Sequence, residues 1–149
     1  MIFACMPAYG KDEGKAILLA HSLRQWGGRF SDAVLLILEP ETSRLSPSSC
    51  EALTRLGATI VPFPLPETAL SFPYAQKVFA AAAAEQIAGG ELLAWMDPDS
   101  LILFPPEEFD LPPGKNRLQP GAFEEYQFRD WRTGECLLAG HIRQLRSRV

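Results

Sequence analysis

Leu92-Leu93-Ala94-Trp95-Met96-Asp97-Pro98-Asp99-Ser100 begins as five apolar residues in succession and ends on two carboxylates one residue apart. The apolar half has the length and composition of a strand buried on both faces, as in a parallel sheet. Asp97-Pro98-Asp99 stops it, because proline restricts the residue before it and has no N–H to give to a ladder. In an open α/β sheet the carboxyl end of such a strand is the edge at which ligands bind. The reading of the whole chain follows from whether its neighbours supply that sheet.

Immediately upstream, Pro73 to Ala88 reads as a helix with proline at a first-turn position and five successive alanines, Ala80 to Ala84. Alanine favours helix and permits close packing on a sheet. Gly89-Gly90 ends it. Further back, Ala58 to Phe63 is a strand closed by Pro62 and Pro64. Ser48 to Leu56 is a short helix, with Ser48 and Glu51 spaced as a capping box and Gly57 at its end. Val34 to Leu38 is a continuous aliphatic strand. Gly14 to Trp26 places Ala16, Leu19, Ala20 and Leu23 at helical spacing and stops at Gly27-Gly28. Ile2 to Met6 is the first strand, stopped by Pro7. Downstream, Leu101 to Phe104 reads as a short fifth strand. The β-α-β-α-β-α-β order with short connections predicts a three-layer α/β/α fold on a mainly parallel sheet with right-handed crossovers.

The chain has 149 residues, 47% of them hydrophobic and 21% charged, enough for one domain with a real core and too apolar for a disordered chain. An isoelectric point near 5.2 argues against a nucleic-acid partner. Cys5, Cys50 and Cys136 form no metal-ligand or disulfide spacing and read as reduced thiols. No apolar run reaches the ~20 residues of a membrane span, and no basic segment precedes an apolar one at the amino terminus. The expectation is a cytoplasmic protein. The charge is uneven: residues 1–113 carry −7 and residues 114–149 carry +3. This divides the chain into an α/β domain, 1–113, and an irregular basic segment, 114–149. The second part offers one weak helix, Leu137 to Leu145.

Two carboxylates at the mouth of an apolar strand repel each other unless a cation neutralises them. Hard oxygen ligands suit Mg²⁺ or Mn²⁺, which bind through one or two carboxylates together with substrate phosphates. Asp-Pro-Asp is equally good turn chemistry, with Asp97 capping the turn and Asp99 solvated. His21 reads as a partly exposed helix residue, and His141 lies in the basic segment.

The run from Lys77 through the alanine-rich helix into Leu-Leu-Ala-Trp-Met-Asp-Pro-Asp-Ser-Leu-Ile-Leu resembles glycosyltransferases of the GT-A fold, the glycogenin-like group above all. Tyr9, Gly14 and Ser22-Leu23-Arg24 are similar to that group's loop tyrosine, glycine and first helix, although the interval from Tyr9 to Gly14 is longer than its pattern. The resemblance covers residues 1–104, the nucleotide-binding half of such enzymes. It implies a nucleotide-diphosphate sugar as donor and a divalent ion, Mn²⁺ or Mg²⁺, held by Asp97 and Asp99. Asp97 would also reach the ribose, Lys77 a phosphate, and Tyr9 the vicinity of the base. The competing bland readings are a helix-surface lysine for Lys77 and a loop aromatic for Tyr9. The residues around His141 do not reproduce the family's metal-binding histidine motif, so no such role is assigned to it.

Such an enzyme needs an acceptor-binding half after the carboxylate pair, and 50 residues follow Asp99. The chain therefore reads as a member shortened at its carboxy terminus. A partner subunit supplying the acceptor side, a non-catalytic remnant that still binds nucleotide or metal, and a frame-shifted gene each account for this. A sheet edge left uncovered would also favour a homo-oligomer. A haloacid-dehalogenase-type phosphatase, whose first Asp is the nucleophile, is a distant third reading; its motif belongs on the first strand.

Overall fold

The computed structural model describes residues 1–69, 72 and 74–110. Within them the chain builds β1 (Ile2–Cys5), α1 (Glu13–Trp26), β2 (Val34–Pro40), α2 (Pro47–Arg55), β3 (Ala58–Phe63), α3 (Ala75–Ala88) and β4 (Leu93–Met96). The four strands form one sheet in the order β3-β2-β1-β4, and every pairing is parallel. Cys5 lies level with Met96 across the β1–β4 pair and with Ile37 across the β1–β2 pair, so β1 and β4 end together at one edge while β2 runs on to Pro40.

Alternation along the strands feeds two cores. Phe3, Cys5, Leu35, Ile37 and Ala94 face one side, where Ala16, Leu19, Ala20 and Leu23 of α1 and Leu53 of α2 cover them. Ile2, Ala4, Met6, Leu36, Leu38 and Phe63 face the other, under Ala80, Ala84 and Ala88 of α3. The three alanines are one helical turn apart and lie on one stripe. Their lack of bulk lets the α3 backbone settle close to the sheet. The expected three layers are therefore present. Phe3, Leu19, Leu23, Leu35, Ile37 and Leu53 are almost wholly buried, and each side chain of this size contributes about 1.5–3 kcal/mol by leaving water.

Two expectations are corrected. The second helix starts earlier than the Ser48/Glu51 pattern suggested: Ser46 is the N-cap, its hydroxyl accepts from the Ser49 N–H at 3.3 Å, and Pro47 occupies the first turn. The pattern misled because Ser46, Ser48 and Ser49 are all competent caps, and Pro47 pre-sets the helical φ directly after Ser46. The fifth strand does not form. Leu101, Leu103 and Phe104 are exposed, and the Ile102 N–H donates to the Ser22 hydroxyl at 3.1 Å instead of to a strand. Ser22 in turn donates to the Leu19 carbonyl at 2.8 Å. The segment after Asp99 is thus drawn onto α1, and Phe109 joins Phe3 and Phe30 in edge-to-face contacts of 5.4–6.4 Å.

Met1–Asp110 is one compact unit. The expected basic segment, with the Leu137–Leu145 helix, Cys136 and His141, lies outside the described residues, as does Pro73; the third helix itself begins at Ala75, after Tyr74 as its N-cap, and not at Pro73 as the sequence suggested. Among the described residues no helix is long and apolar enough to cross a membrane.

Candidate functional site

From β1 the sheet grows in both directions, with β2 and β3 on one side and β4 on the other. The gap beyond the carboxyl ends of β1 and β4 is therefore the topological switch point, where open α/β sheets receive ligands. Each helix that follows a strand also begins at this edge, so α1 and α3 bring their first turns to it. Both first turns carry a lysine, Lys15 in α1 and Lys77 in α3.

Lys77 and Asp97, 20 residues apart, meet here. The Lys77 ammonium donates to Asp97 Oδ1 at 2.6 Å, with both side chains about half exposed. Asp97 leads directly into a turn in which the Ser100 N–H donates to the Asp97 carbonyl at 2.9 Å, and Pro98 is buried between two exposed aspartates. The turn reading of Asp-Pro-Asp is thus correct for the backbone, while the Asp97 carboxylate is left to face Lys77. Asp99 acts on a different lysine, and only through the reach of its charge. Lys15 is held in its charged form chiefly by a 2.9 Å bond to Asp12, with Asp99 adding to the effect. The same bond holds Asp12 below the usual carboxylate range. Under the rim, Cys5 closes β1. Burial first, then the charges of Asp97 and Asp12, push its thiol up to about 12, so it is a neutral floor and not a nucleophile.

Tyr9 sits in the loop between β1 and α1 and is 62% exposed, so it is not a core aromatic. His21 is exposed on α1. Among the described residues no three His, Cys, Asp or Glu side chains group in a way that could hold a metal ion. The donor chemistry at hand is two exposed carboxylates beside two ammonium groups. Carboxylate oxygens are hard donors of the kind Mg²⁺ and Mn²⁺ take, but two of them are too few to cage an ion without water or ligand oxygens.

One buried charge at the start of α1 escaped the sequence. Glu13, at the start of α1, is only 6% exposed. Its Oε1 accepts from the Gly10 N–H at 2.9 Å and the Ser46 N–H at 3.2 Å; its Oε2 accepts from the Ser46 and Ser49 hydroxyls, both at 2.5 Å. These donors hold its carboxyl down at about 2, the Ser46 hydroxyl contributing most, against the opposing effect of burial. In the sequence Glu13 stands in the charged run Lys11-Asp12-Glu13, just before the helix read from Gly14. Only the Ser46 and Ser49 cluster, rich in N-cap residues, carried a signal, and nothing in it named a carboxylate 33 residues away.

A parallel sheet with helices on both faces, and charged side chains along the edge at its switch point, defines an α/β domain. Residues 3–132 match the Rhodobacterales glycosyltransferase domain, and the chain belongs to that family. The match continues past Gly114 to residue 132, so the reversal of charge begins inside the family's own sequence. No curated protein matches the chain.

Proposed function

We propose that this domain binds a nucleotide-diphosphate sugar in the β1–β4 crevice and transfers the sugar in a metal-dependent reaction, as a GT-A domain of the glycogenin-like type. The observation that carries this reading is the 2.6 Å pairing of Lys77 with Asp97 at the switch point of a chain from a glycosyltransferase family. Transfer of a sugar leaves a nucleoside diphosphate, whose negative charge grows as the glycosidic bond breaks, and groups fixed where that charge appears lower the barrier. Lys77, in the first turn of α3, is the residue for this role: it can exchange the Asp97 carboxylate for a phosphate oxygen. Asp97 and Asp99 would hold the ion; when bound, Mn²⁺ or Mg²⁺ neutralises part of the diphosphate charge as a Lewis acid. Tyr9 offers an exposed ring against which a base can lie. Asp97, released from Lys77, is also free to accept from a ribose hydroxyl.

Calorimetry with UDP- and GDP-sugars in the presence of Mn²⁺ tests the reading. Binding by the wild type that is lost in Asp97→Ala supports the donor site, and no binding of any of these donors sinks it. Donor hydrolysis or sugar transfer then separates an enzyme from a domain that binds without turnover. That second reading stays in view because Asp97 is already paired with Lys77, an arrangement that also serves simple binding. The phosphatase reading has no support from the family and requires Asp97 to be a nucleophile on a first strand, whereas it follows β4.

A further inference from the structure

We propose that Glu13 is a positioning residue for the crevice, a buried latch that holds the Tyr9–Asp12 loop in ligand-receiving shape by tying it to the amino terminus of α2. The inference rests on the donor-site reading of the crevice. The loop that leaves β1 carries Tyr9 and Asp12, yet its own bonds, Lys11 N–H to the Tyr9 carbonyl at 2.7 Å and Asp12 N–H to the Ala8 carbonyl at 3.1 Å, only shape the turn. Gly10, at its tip, takes φ +71°, a conformation that glycine adopts without penalty. The Gly10 N–H points into Glu13 Oε1, and Glu13 is in turn held by Ser46 and Ser49.

A carboxylate is a costly means of packing two helices, since a buried charge must be fully satisfied by donors. If packing were the whole purpose, an aliphatic residue would serve. What a carboxylate adds is direction. With four donors arranged about two oxygens, the position of the Gly10 backbone is fixed relative to α2, an element far from the rim in sequence. Tyr9 and Asp12, on either side of the tip, are fixed with it. Small displacements of positioning groups are expensive for binding and turnover, which makes this network a determinant of how the crevice meets its ligand.

The test compares the wild-type chain with Glu13→Ala, Glu13→Gln and the milder Ser49→Ala. Two readouts are taken: amide hydrogen exchange at Gly10 and Lys11 against Ile37 in β2, and the Kd for UDP and for GDP in the presence of Mn²⁺. Glu13→Ala is expected to speed exchange at Gly10 at least tenfold more than at Ile37, which reports the loss of overall stability, and to weaken nucleotide binding at least tenfold. Ser49→Ala moves both in the same direction by about threefold. Glutamine keeps an acceptor for the Gly10 N–H and can donate to the serine hydroxyls, so Glu13→Gln recovers part of both losses. Unchanged Gly10 exchange in Glu13→Ala overturns the latch. So does faster Gly10 exchange with an unchanged Kd, or exchange that rises equally at Ile37, which would mark Glu13 as a general stabiliser. A wild type that binds neither nucleotide refutes the donor site, and the exchange of Gly10 against Ile37 then decides the latch by itself.

Discussion

Acid should open the Glu13 network at a pH set by the network itself, and the effect can be isolated. The folded carboxyl sits at about 2 against an ordinary value of 4.5, held there first by the Ser46 hydroxyl, then by the Ser49 hydroxyl and the Gly10 N–H. A carboxyl depressed in the folded state stabilises the fold fully above its unfolded value, and the contribution drains away as the pH falls toward the folded value. The gap is about 2.5 pH units, which at about 1.36 kcal/mol per unit corresponds to about 3 kcal/mol, present at pH 6, falling from about pH 5 downward and nearly gone at pH 2. Asp12 and Asp110 are also depressed, by Lys15 and Arg29 respectively, so wild-type stability alone mixes several groups. The difference between wild type and Glu13→Gln removes them, because both proteins carry those pairs. Urea unfolding should show the wild type more stable than Glu13→Gln at pH 6, with the advantage shrinking toward zero at pH 2. With a slope of about 1.5 kcal/mol per molar urea, the midpoint difference at pH 6 is about 2 M. Parallel stability profiles for the two proteins from pH 6 to pH 2 would refute the reasoning.

Arg24 anchors the back of the same helix. Its guanidinium donates to the carbonyls of Leu56 at 2.7 Å, Ser31 at 2.7 Å, Ala33 at 2.8 Å and Gly57 at 3.1 Å, joining the end of α1 to the entry of β2 and the end of α2. Arg24→Ala should cost about 3 kcal/mol in urea unfolding, since bonds to a charged donor are worth about 1.5–3 kcal/mol and these overlap. Arg24→Lys should recover less than half, because an ammonium cannot span four carbonyls arranged around a planar fork. Cys5 should resist iodoacetamide at pH 8 in the folded protein and react once denaturant is added, given its burial and a thiol pushed up to about 12; mass spectrometry of the Cys5 peptide reads this, and rapid labelling of the folded protein would contradict the buried floor.

The layers of this fold were legible because each strand is a short, mostly apolar run and each helix is followed by glycine. Leu35 to Leu38 admits no solvent face, and Ala80, Ala84 and Ala88 could only be a stripe against a sheet. The fifth strand was misread for the opposite reason. Leu101 to Phe104 is apolar enough, but strand formation depends on where the backbone N–H of Ile102 finds an acceptor, and a serine hydroxyl from α1 took it. Lys77 and Asp97 were legible as types at the right places, the first turn of a helix and the end of a strand. Their direct pairing was not, because it depends on how far α3 settles onto the sheet. Glu13 was invisible for a related reason: burial of a carboxylate is decided by donors that arrive from α2, and a linear pattern of charges carries no information on them.

The rim explains why its residues carry opposite charges so close together. Asp97 is neutralised by Lys77 and Asp12 by Lys15, with Asp99 near enough to Lys15 to act on it. An edge of this kind is stable without ligand, since each exposed pair satisfies itself, and each such pair is worth no more than about 1 kcal/mol. A ligand that brings both a cation and phosphate oxygens can satisfy both members of a pair at once, whereas a cation alone leaves the lysine and an anion alone leaves the aspartate. The exchange is then inexpensive for the complete ligand and unfavourable for either half. Selectivity for a metal-bound diphosphate, in the donor reading of the crevice, would therefore reside in the pairing of Lys77 with Asp97 and not in a preformed cage of carboxylates.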